Sequence, residues 1–460
     1  MSRKHFGTDG VRGVANVGLT PEFAFQLGQA AGRTLKAHGL TPRVALGRDT
    51  RRSGPMLGAS LASGFCSVGV DVIALGVVPT PTVSFVARTG EFGMGAIVSA
   101  SHNPAPDNGI KFVLHDGRKT PDEFEAEIEA RLSESSGPRP KGAEVGFLES
   151  DQEPVEAYVA FLESTVPERL DGMRVAVDAA HGAAYRLAPL VLRALGAEIV
   201  VVGDRPDGVN INAEGGATKP QTICTLAREV RADAGVAFDG DADRAVFSDA
   251  EGRLVNGDRT IGLWMRHWLE AGKPMNRVAI GTVMSNGGLG DFLARLGVRL
   301  ERAPVGDKHV ADWIERFEAP IGGEQSGHII FPELGPTGDG LATMLQVLRI
   351  LRREGRTLAE ASADYEPWPQ KLANVQVRDR ATWADGPMVR RAIEEAGELL
   401  EGQGRVLVRA SGTQPMVRVM VEARSADLRD RALEGIVRAL LDEAGGRVFS
   451  EVDLTHALGD

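Results

Sequence analysis

Three aspartates, Asp239, Asp241 and Asp243, alternate in the stretch FDGDADR at 238–244, directly after the apolar run AGVAF. Fully extended, the outer two carboxylates would stand roughly 13 Å apart on one face, too far for one ion to bridge. The segment must therefore curl, and Gly240 makes the curl easy. Three hard oxygen donors on a curled loop suit Mg2+ or Ca2+ rather than a thiophilic metal. An EF-hand is excluded: its sixth position needs glycine where Arg244 stands, and its twelfth needs glutamate where Ala250 stands. The plain alternative is a solvated acidic turn. Against it, the loop follows an apolar strand, at the end where open α/β sheets bind ligands.

A second stretch, IVSASHNPAPDNGIKF at 97–112, runs from a buried strand into a turn at Pro104 and carries Ser101, His102 and Lys111. Ser101 is either turn chemistry or a reactive hydroxyl held out on a tight loop. In RASGTQPMVR at 409–418, Arg409, Ser411, Gly412, Thr413 and Arg418 offer two guanidinium groups, two hydroxyls and a flexible backbone. Such a set can cradle a phosphate, or it can be a hairpin turn with surface arginines. In GGEQSGHII at 322–330, Glu324 and Ser326 match neighbouring sugar hydroxyls, or the segment is simply an exposed loop. The glycine-bounded segments FGTDGVRG and GRDTRRSG add Arg12, Arg48 and Arg51, of which the last two serve equally well as salt-bridge partners inside the first domain.

These pieces fit one arrangement. Ser101 could carry a phosphoryl group, and the aspartate loop could hold a Mg2+ that neutralises it. Three carboxylates and a phosphate near −2 against one divalent ion leave roughly −3, so a phosphorylated substrate needs cations nearby. The candidates are Lys111, Arg244, Arg12 and Lys308. The chain has no GxxxxGK[ST] loop, so no Walker-type nucleotide donor is indicated, and a serine donor answers that absence.

The elements that must position these loops are legible as repeats. RVALGRDT at 43–50, RVAVDAAH at 174–181 and RVAIGTVM at 277–284 each open a short β-branched strand that is followed by a helix-like stretch. Apolar runs alternating with helical segments imply mainly parallel sheets covered by helices. From about 370 the order becomes strand, helix, strand, strand, helix, an α+β pattern. The expected fold is α/β: three tandem related domains at 1–152, 153–253 and 254–368, then a smaller α+β domain at 369–460. A chain of 460 residues accommodates that number. At 43% hydrophobic and 25% charged it can build the cores required. Two cysteines give neither a disulfide framework nor paired zinc ligands, so a cytoplasmic, reducing setting is expected. The net charge of −11 argues against a nucleic-acid surface, and no run reaches the length of a membrane span.

Taken together, the motifs FGTDGVRG, SASHNPAPDNGIKF, VNINAEGGAT, FDGDADR, GTVMSN, VGDKHV, GGEQSGHI, TGDG and RASGTQP stand in an order that resembles the α-D-phosphohexomutase superfamily over essentially the whole chain. The resemblance implies four domains around a central cleft. It implies a phosphoserine at Ser101, with one Mg2+ held by its phosphate and Asp239, Asp241 and Asp243. Glu324 and Ser326, with Lys308 and His328, would bind the sugar. Arg409, Ser411, Gly412 and Thr413 would hold the non-reacting phosphate, supported by Arg418. Arg12, Lys111, Arg244 and His102 would serve the transfer. The wording is closest to the amino-sugar branch. It implies an isomerase of the intramolecular phosphotransferase type, which interconverts glucosamine 6-phosphate and glucosamine 1-phosphate. The route would pass through a 1,6-bisphosphate, with a glucose- or glucosamine-1,6-bisphosphate as activator or intermediate, and feed UDP-N-acetylglucosamine synthesis. A small-molecule hexosamine phosphate is then the partner, with no nucleic acid or membrane; both a monomer and a homodimer fit.

Some positions depart from the family pattern: Gln414 stands where Glu is usual, Lys308 and His309 where Arg and Tyr are more common, and His181 where Asn is common. The proton acceptor is open among Lys111, should neighbouring cations lower its pKa, and His102, His309 and His328. Three other readings share parts of the machinery. They are a phosphomannomutase or phosphoglucomutase, a metal-dependent sugar phosphatase, and a non-catalytic sugar-phosphate sensor.

Overall fold

The computed structural model describes residues 4–7, 9–133, 139–379, 382–410 and 416–458. The chain forms two compact units, Met1–Val283 with Glu301–Ser362, and Met284–Leu300 with Ala363–Asp460.

The first unit holds two sheets and most of a third. The first contains β1 (Val11–Val14), β2 (Arg43–Arg48), β3 (Asp71–Val77), β4 (Met94–Val98), β5 (Asp107–Leu114) and β6 (Leu148–Ser150), in the order β1-β5-β4-β2-β3-β6. Its centre is parallel, while β5 returns antiparallel beside β4 and pairs with β1. The second contains β7 (Arg174–Asp178), β8 (Glu198–Val202), β9 (Ala234–Phe238), β10 (Ala245–Ser248) and β11 (Leu254–Val255), in the order β11-β10-β9-β7-β8. The third comprises β12 (Val278–Thr282), β13 (Arg299–Ala303), β14 (Gly322–Gly323) and β15 (Ile329–Ile330), in the order β13-β12-β14-β15. The three RVA segments are β2, β7 and β12, as their β-branched runs predict. Helix Pro21–Ala37 starts with the Thr20 hydroxyl capping the Phe23 N–H.

In the second unit, an antiparallel sheet of β16 (Gln370–Gln376), β17 (Gly404–Ala410), β18 (Met416–Ala423) and β19 (Arg447–Asp453) runs β17-β18-β16-β19. Helices Pro387–Leu399 and Ala426–Asp442 cover one face, over a core that includes Val375, Val419 and Ile436. The expected order is present, with β19 added at an edge. Most of β19 faces solvent, and its pairing with β16 breaks register between Asn374 and Val375. Its residues therefore carry no clear buried alternation to read. No described helix is long and apolar enough to cross a membrane.

The serine loop is folded by one buried arginine. β4 is buried along its whole length and delivers Ser99–Pro104 at its carboxyl end. Arg51, with no exposed side-chain surface, donates to the carbonyls of Ser101 (2.9 Å), Asn103 (2.8 Å) and Pro104 (2.6 Å). Its Nε pairs with Asp49 at 2.9 Å, and Asp49 also accepts the Ser99 hydroxyl at 2.6 Å. One planar donor fork thus gathers three carbonyls of the tight turn. Arg51→Met strands the Asp49 carboxylate in the interior. That should lower the urea-unfolding free energy by about 3–5 kcal/mol. Adding Asp49→Asn removes the stranded charge and should recover part of the loss; a parent-like midpoint for Arg51→Met would refute this account.

Candidate active site

The aspartate loop joins β9 to β10, which pair antiparallel with Phe238 opposite Ala245. Residues 239–244 must reverse the chain within that span. The curl uses Ala242 in the left-handed region at φ 56° and brings all three carboxylates inward, each buried. One oxygen from each of Asp239, Asp241 and Asp243 lies within 4.8 Å of the other two. Gly240 is required by space: a Cβ there would meet the Ser101 carbonyl oxygen at 2.5 Å.

Ser101 meets this loop directly. Its hydroxyl donates to Asp239 Oδ2 at 2.6 Å, its side chain is buried, and its backbone is left-handed at φ 49°. A non-glycine residue in that region is uncommon and is held by its surroundings. Ser101 N–H donates to Ser99 Oγ at 2.9 Å, and its carbonyl is held by Arg51. His102 Nδ1 lies 3.4 Å from Ser101 Oγ. Burial, then Arg244 and Arg12, lower the pKa of the His102 ring, which favours the neutral form.

Lys111 projects from β5 beneath the carboxylates. Its ammonium donates to Asp241 Oδ2 at 2.7 Å and lies 3.7 Å from Asp9 and 3.8 Å from Asp243. Burial alone would lower its pKa, but Asp241, Asp9 and Asp243 outweigh burial and raise it above the ordinary lysine value. The sequence reading allowed Lys111 as a base if cations lowered its pKa. Its neighbours are carboxylates, so the structure corrects that expectation: Lys111 is a fixed cation. Arg244 behaves likewise, with burial opposed by Asp239, Asp243, Glu324 and Asp241 in that order.

The carboxylates divide under the same forces. Burial, then Asp243 and Asp241, push Asp239 well above the ordinary range. For Asp243, burial is outweighed by His328, Lys111 and Arg244, which hold it low. Asp241 Oδ2 takes the Thr80 hydroxyl at 2.6 Å besides Lys111. Asp241 Oδ1 and Asp243 Oδ1 are buried without any hydrogen-bond partner. Buried unpartnered carboxylate oxygens are rare and costly. Two such atoms in a group of three converging carboxylates fit a hard divalent cation such as Mg2+.

The sugar-loop residues lie beside this centre. Residues 324–328 connect β14 to β15, and Glu324 Oε1 accepts the Gly306 N–H at 3.0 Å. Glu324 and Ser326 are half-buried. Backbone bonds lock this loop and the TGDG segment to the aspartate loop: Ala245 N–H to Gly327 O at 3.0 Å and Gly340 N–H to Ala242 O at 3.1 Å.

Two residues expected at the sugar have protein partners in the structure. Lys308, in the first turn of helix Asp307–Phe317, donates to Thr120 O at 3.0 Å and pairs with Asp122. It is therefore neutralised by the first domain and is not among the cations around the aspartates. His328 is buried, with Nδ1 3.7 Å from Asp243 and Nε2 accepting the Gly338 N–H at 3.1 Å. It supports Asp243 from below. Arg12 is ion-paired with Asp9, and His309 is exposed. In the second unit, Arg409 and Arg418 stand directly opposite each other on β17 and β18. Burial and Arg418 lower the pKa of Arg409. Ser411, Gly412, Thr413 and Gln414 lie outside the described residues.

Sequence reasoning missed Asp9, Thr80, Lys119 and Asn212. Asp9 and Asn212 stand inside motifs already singled out, FGTDGVRG and VNINAEGGAT, and could have been found there. Thr80 and Lys119 carried no local signal. Lys119 bridges Asp9 and Asp307, joining the first domain to the third.

The chain matches four models of phosphoglucomutase/phosphomannomutase: alpha/beta/alpha domain I over residues 3–138, domain II over 156–252, domain III over 256–368 and the C-terminal domain over 372–439. A phosphoglucosamine mutase of Symbiobacterium thermophilum is 49% identical over 91% of this chain and 94% of its own length. One of Desulforudis audaxviator is 46% identical over 95% and 98%. Among solved structures, a phosphoglucomutase/phosphomannomutase family protein from Burkholderia thailandensis superposes with a TM-score of 0.82 at 26% identity, covering 97% of this chain and 99% of that one. With the serine loop, aspartate loop and sugar loop joined as described, and all four domain models matched in order, the chain belongs to the phosphoglucomutase/phosphomannomutase family.

Proposed function

We propose that the protein interconverts glucosamine 6-phosphate and glucosamine 1-phosphate, the activity named for its relatives, with Ser101 as the phosphoryl carrier. The observation that carries the reading is the Ser101 hydroxyl 2.6 Å from Asp239, beside two buried carboxylate oxygens without partners. Relatives that are 46–49% identical over nearly the full chain support the amino sugar as substrate.

In the transfer, the P–O bond to Ser101 breaks as the bond to the sugar O1 forms, giving a 1,6-bisphosphate. The proton lost from O1 is matched by the one that Ser101 Oγ takes up as it leaves, so the serine returns as a hydroxyl, with His102 Nδ1 3.4 Å from that oxygen. The bisphosphate then turns over, and its 6-phosphoryl group returns to Ser101. Mg2+ held by Asp239, Asp241, Asp243 and the serine phosphate would neutralise charge on the transferring group. Lys111 and Arg244 supply fixed positive charge around it, which is electrostatic preorganisation without reorientation during reaction. His102 is the ring within reach of Ser101 Oγ and suits proton exchange there. Glu324, fixed by Gly306, and Ser326 accept and donate to sugar hydroxyls. Arg409 and Arg418 repel each other across β17 and β18, and an anion between them relieves that repulsion. With Ser411, Gly412 and Thr413 they would hold the phosphate that is not reacting.

Ser101→Ala should abolish turnover while leaving the melting temperature near the parent's, and intact-mass analysis of the parent should show one added phosphoryl group that the variant lacks. Turnover near the parent rate in Ser101→Ala would refute the carrier role. Asp241→Asn should raise the Mg2+ concentration for half-maximal activity at least about 10-fold, judged against typical losses at metal sites; an unshifted titration removes Asp241 from the ligand set. Offered glucosamine, glucose and mannose phosphates side by side, the enzyme should show its highest kcat/KM with the amino sugar. A higher ratio for glucose or mannose would reassign the substrate within the same chemistry, and release of inorganic phosphate would indicate a phosphatase.

A further inference from the structure

The motif VNINAEGGAT is left without a role by the chemistry above, yet its Asn212 reaches the serine loop. Asn212 belongs to the second domain and is buried. Its side-chain Nδ2 donates to the carbonyls of Ser101 at 2.9 Å and Asn103 at 3.1 Å. Arg51 binds the same two carbonyls from within the first domain. The two clamps differ in what they fix. Arg51 shapes the turn, whereas Asn212 ties the turn to the domain that carries the aspartates. Nδ2 also packs on Gly240, where an added Cβ would approach it to 2.8 Å.

Asn212 is itself held firmly. Its backbone is left-handed at φ 57°, its N–H donates to Ala180 O at 2.9 Å, and its carbonyl accepts Lys219 Nζ at 3.1 Å. Ala180 and His181, at the end of β7, are left-handed too, and His181 O takes the Thr50 hydroxyl at 2.5 Å. The amide is thus a fixed donor between two loops whose separation sets the distance from Ser101 Oγ to Asp239.

We propose that Asn212 is a positioning residue for the transfer: its amide holds the left-handed Ser101 in register with the aspartate loop. The inference rests on Ser101 as phosphoryl carrier. Misplacement of a reacting group by about 1 Å costs on the order of 10²-fold in rate. An amide that sets that distance belongs to catalysis even though it touches no substrate.

Asn212→Gly keeps the left-handed backbone accessible and removes the side chain with its donors. Asn212→Asp keeps shape and backbone preference but faces two carbonyl oxygens with an acceptor. The rate of phosphoryl uptake on Ser101 from glucose 1,6-bisphosphate is followed by quench and intact mass, beside kcat, KM, Mg2+ titration and melting temperature. Asn212→Gly should lose about 10²-fold in uptake and kcat together, with KM, Mg2+ titration and melting temperature near the parent's. Asn212→Asp should lose at least as much, and it carries the test if the glycine variant does not fold. Uptake within threefold of the parent in a folded variant overturns the inference, as does a loss that merely follows a lowered melting temperature. Phosphoryl uptake by Ser101→Ala at the parent rate would bring down the carrier reading itself, and this inference with it.

Discussion

Three carboxylates gathered within 4.8 Å and buried repel one another, and the rest of the centre answers that repulsion. Lys111 lies within 3.8 Å of two of them, Arg244 raises positive charge beside Asp239, and Thr80 donates to Asp241. Even so, Asp239 is pushed up and two oxygens stay unpartnered. A loop so arranged is unfavourable by itself; its geometry persists because strands β9 and β10 close it and neighbouring loops lock it. A divalent cation is the group whose charge and hardness answer both deficits at once.

The backbone carries a matching strain. Ser101, Ala180, His181, Asn212 and Ala242 are non-glycine residues in the left-handed region, and all sit in the loops that meet around Gly240. A Cβ on Gly182 would strike the Gly240 carbonyl at 2.5 Å, so the approach of these loops is set by backbone against backbone. Local sequence alone would let each loop relax. Hydrogen bonds made between the first and second domains hold them instead: Thr80 N–H to Asp241 O at 2.9 Å, Arg52 N–H to Gly208 O at 2.8 Å and the Asn212 amide. Strain at the ends of separate strands is tolerated because each strained residue is held by a different segment.

This explains what could be read from residues alone. β2, β7 and β12 announce themselves by β-branched runs, and the aspartate curl follows from spacing, because a straight strand could not bring Asp239 and Asp243 together. Partnerships across segments were not legible. Lys111 and Asp9 are about a hundred residues apart in the chain, Lys111 and Asp241 more, and no local pattern says that Lys111 faces carboxylates rather than cations. That Lys308 does not face the aspartates was hidden for the same reason: it pairs with Asp122, whose proximity belongs to packing of the first and third domains. β19 escaped because most of its side chains face water, which removes the alternation that marks a strand.

The structure also changes the charge count around the proposed transfer. Counting the aspartates alone with a cation and a phosphate leaves a strongly negative centre, hostile to a second phosphate. The described residues place Asp9 and Asp307 in the same cluster, but with them Lys111, Lys119, Arg12 and Arg244. Five carboxylates then face four cations. A divalent ion reverses the balance by two, and a serine phosphate near −2 returns it to where it began. A carrier phosphate with its metal therefore adds almost nothing to the field felt by an approaching sugar phosphate. That near-neutrality has a physical origin in alternation: Asp243, Lys111, Asp9, Lys119 and Asp307 follow one another with signs reversed at each step. Lys111 must stay charged for the alternation to hold. A lysine so placed is better suited to stabilise a transferring phosphoryl group than to take a proton from an attacking hydroxyl.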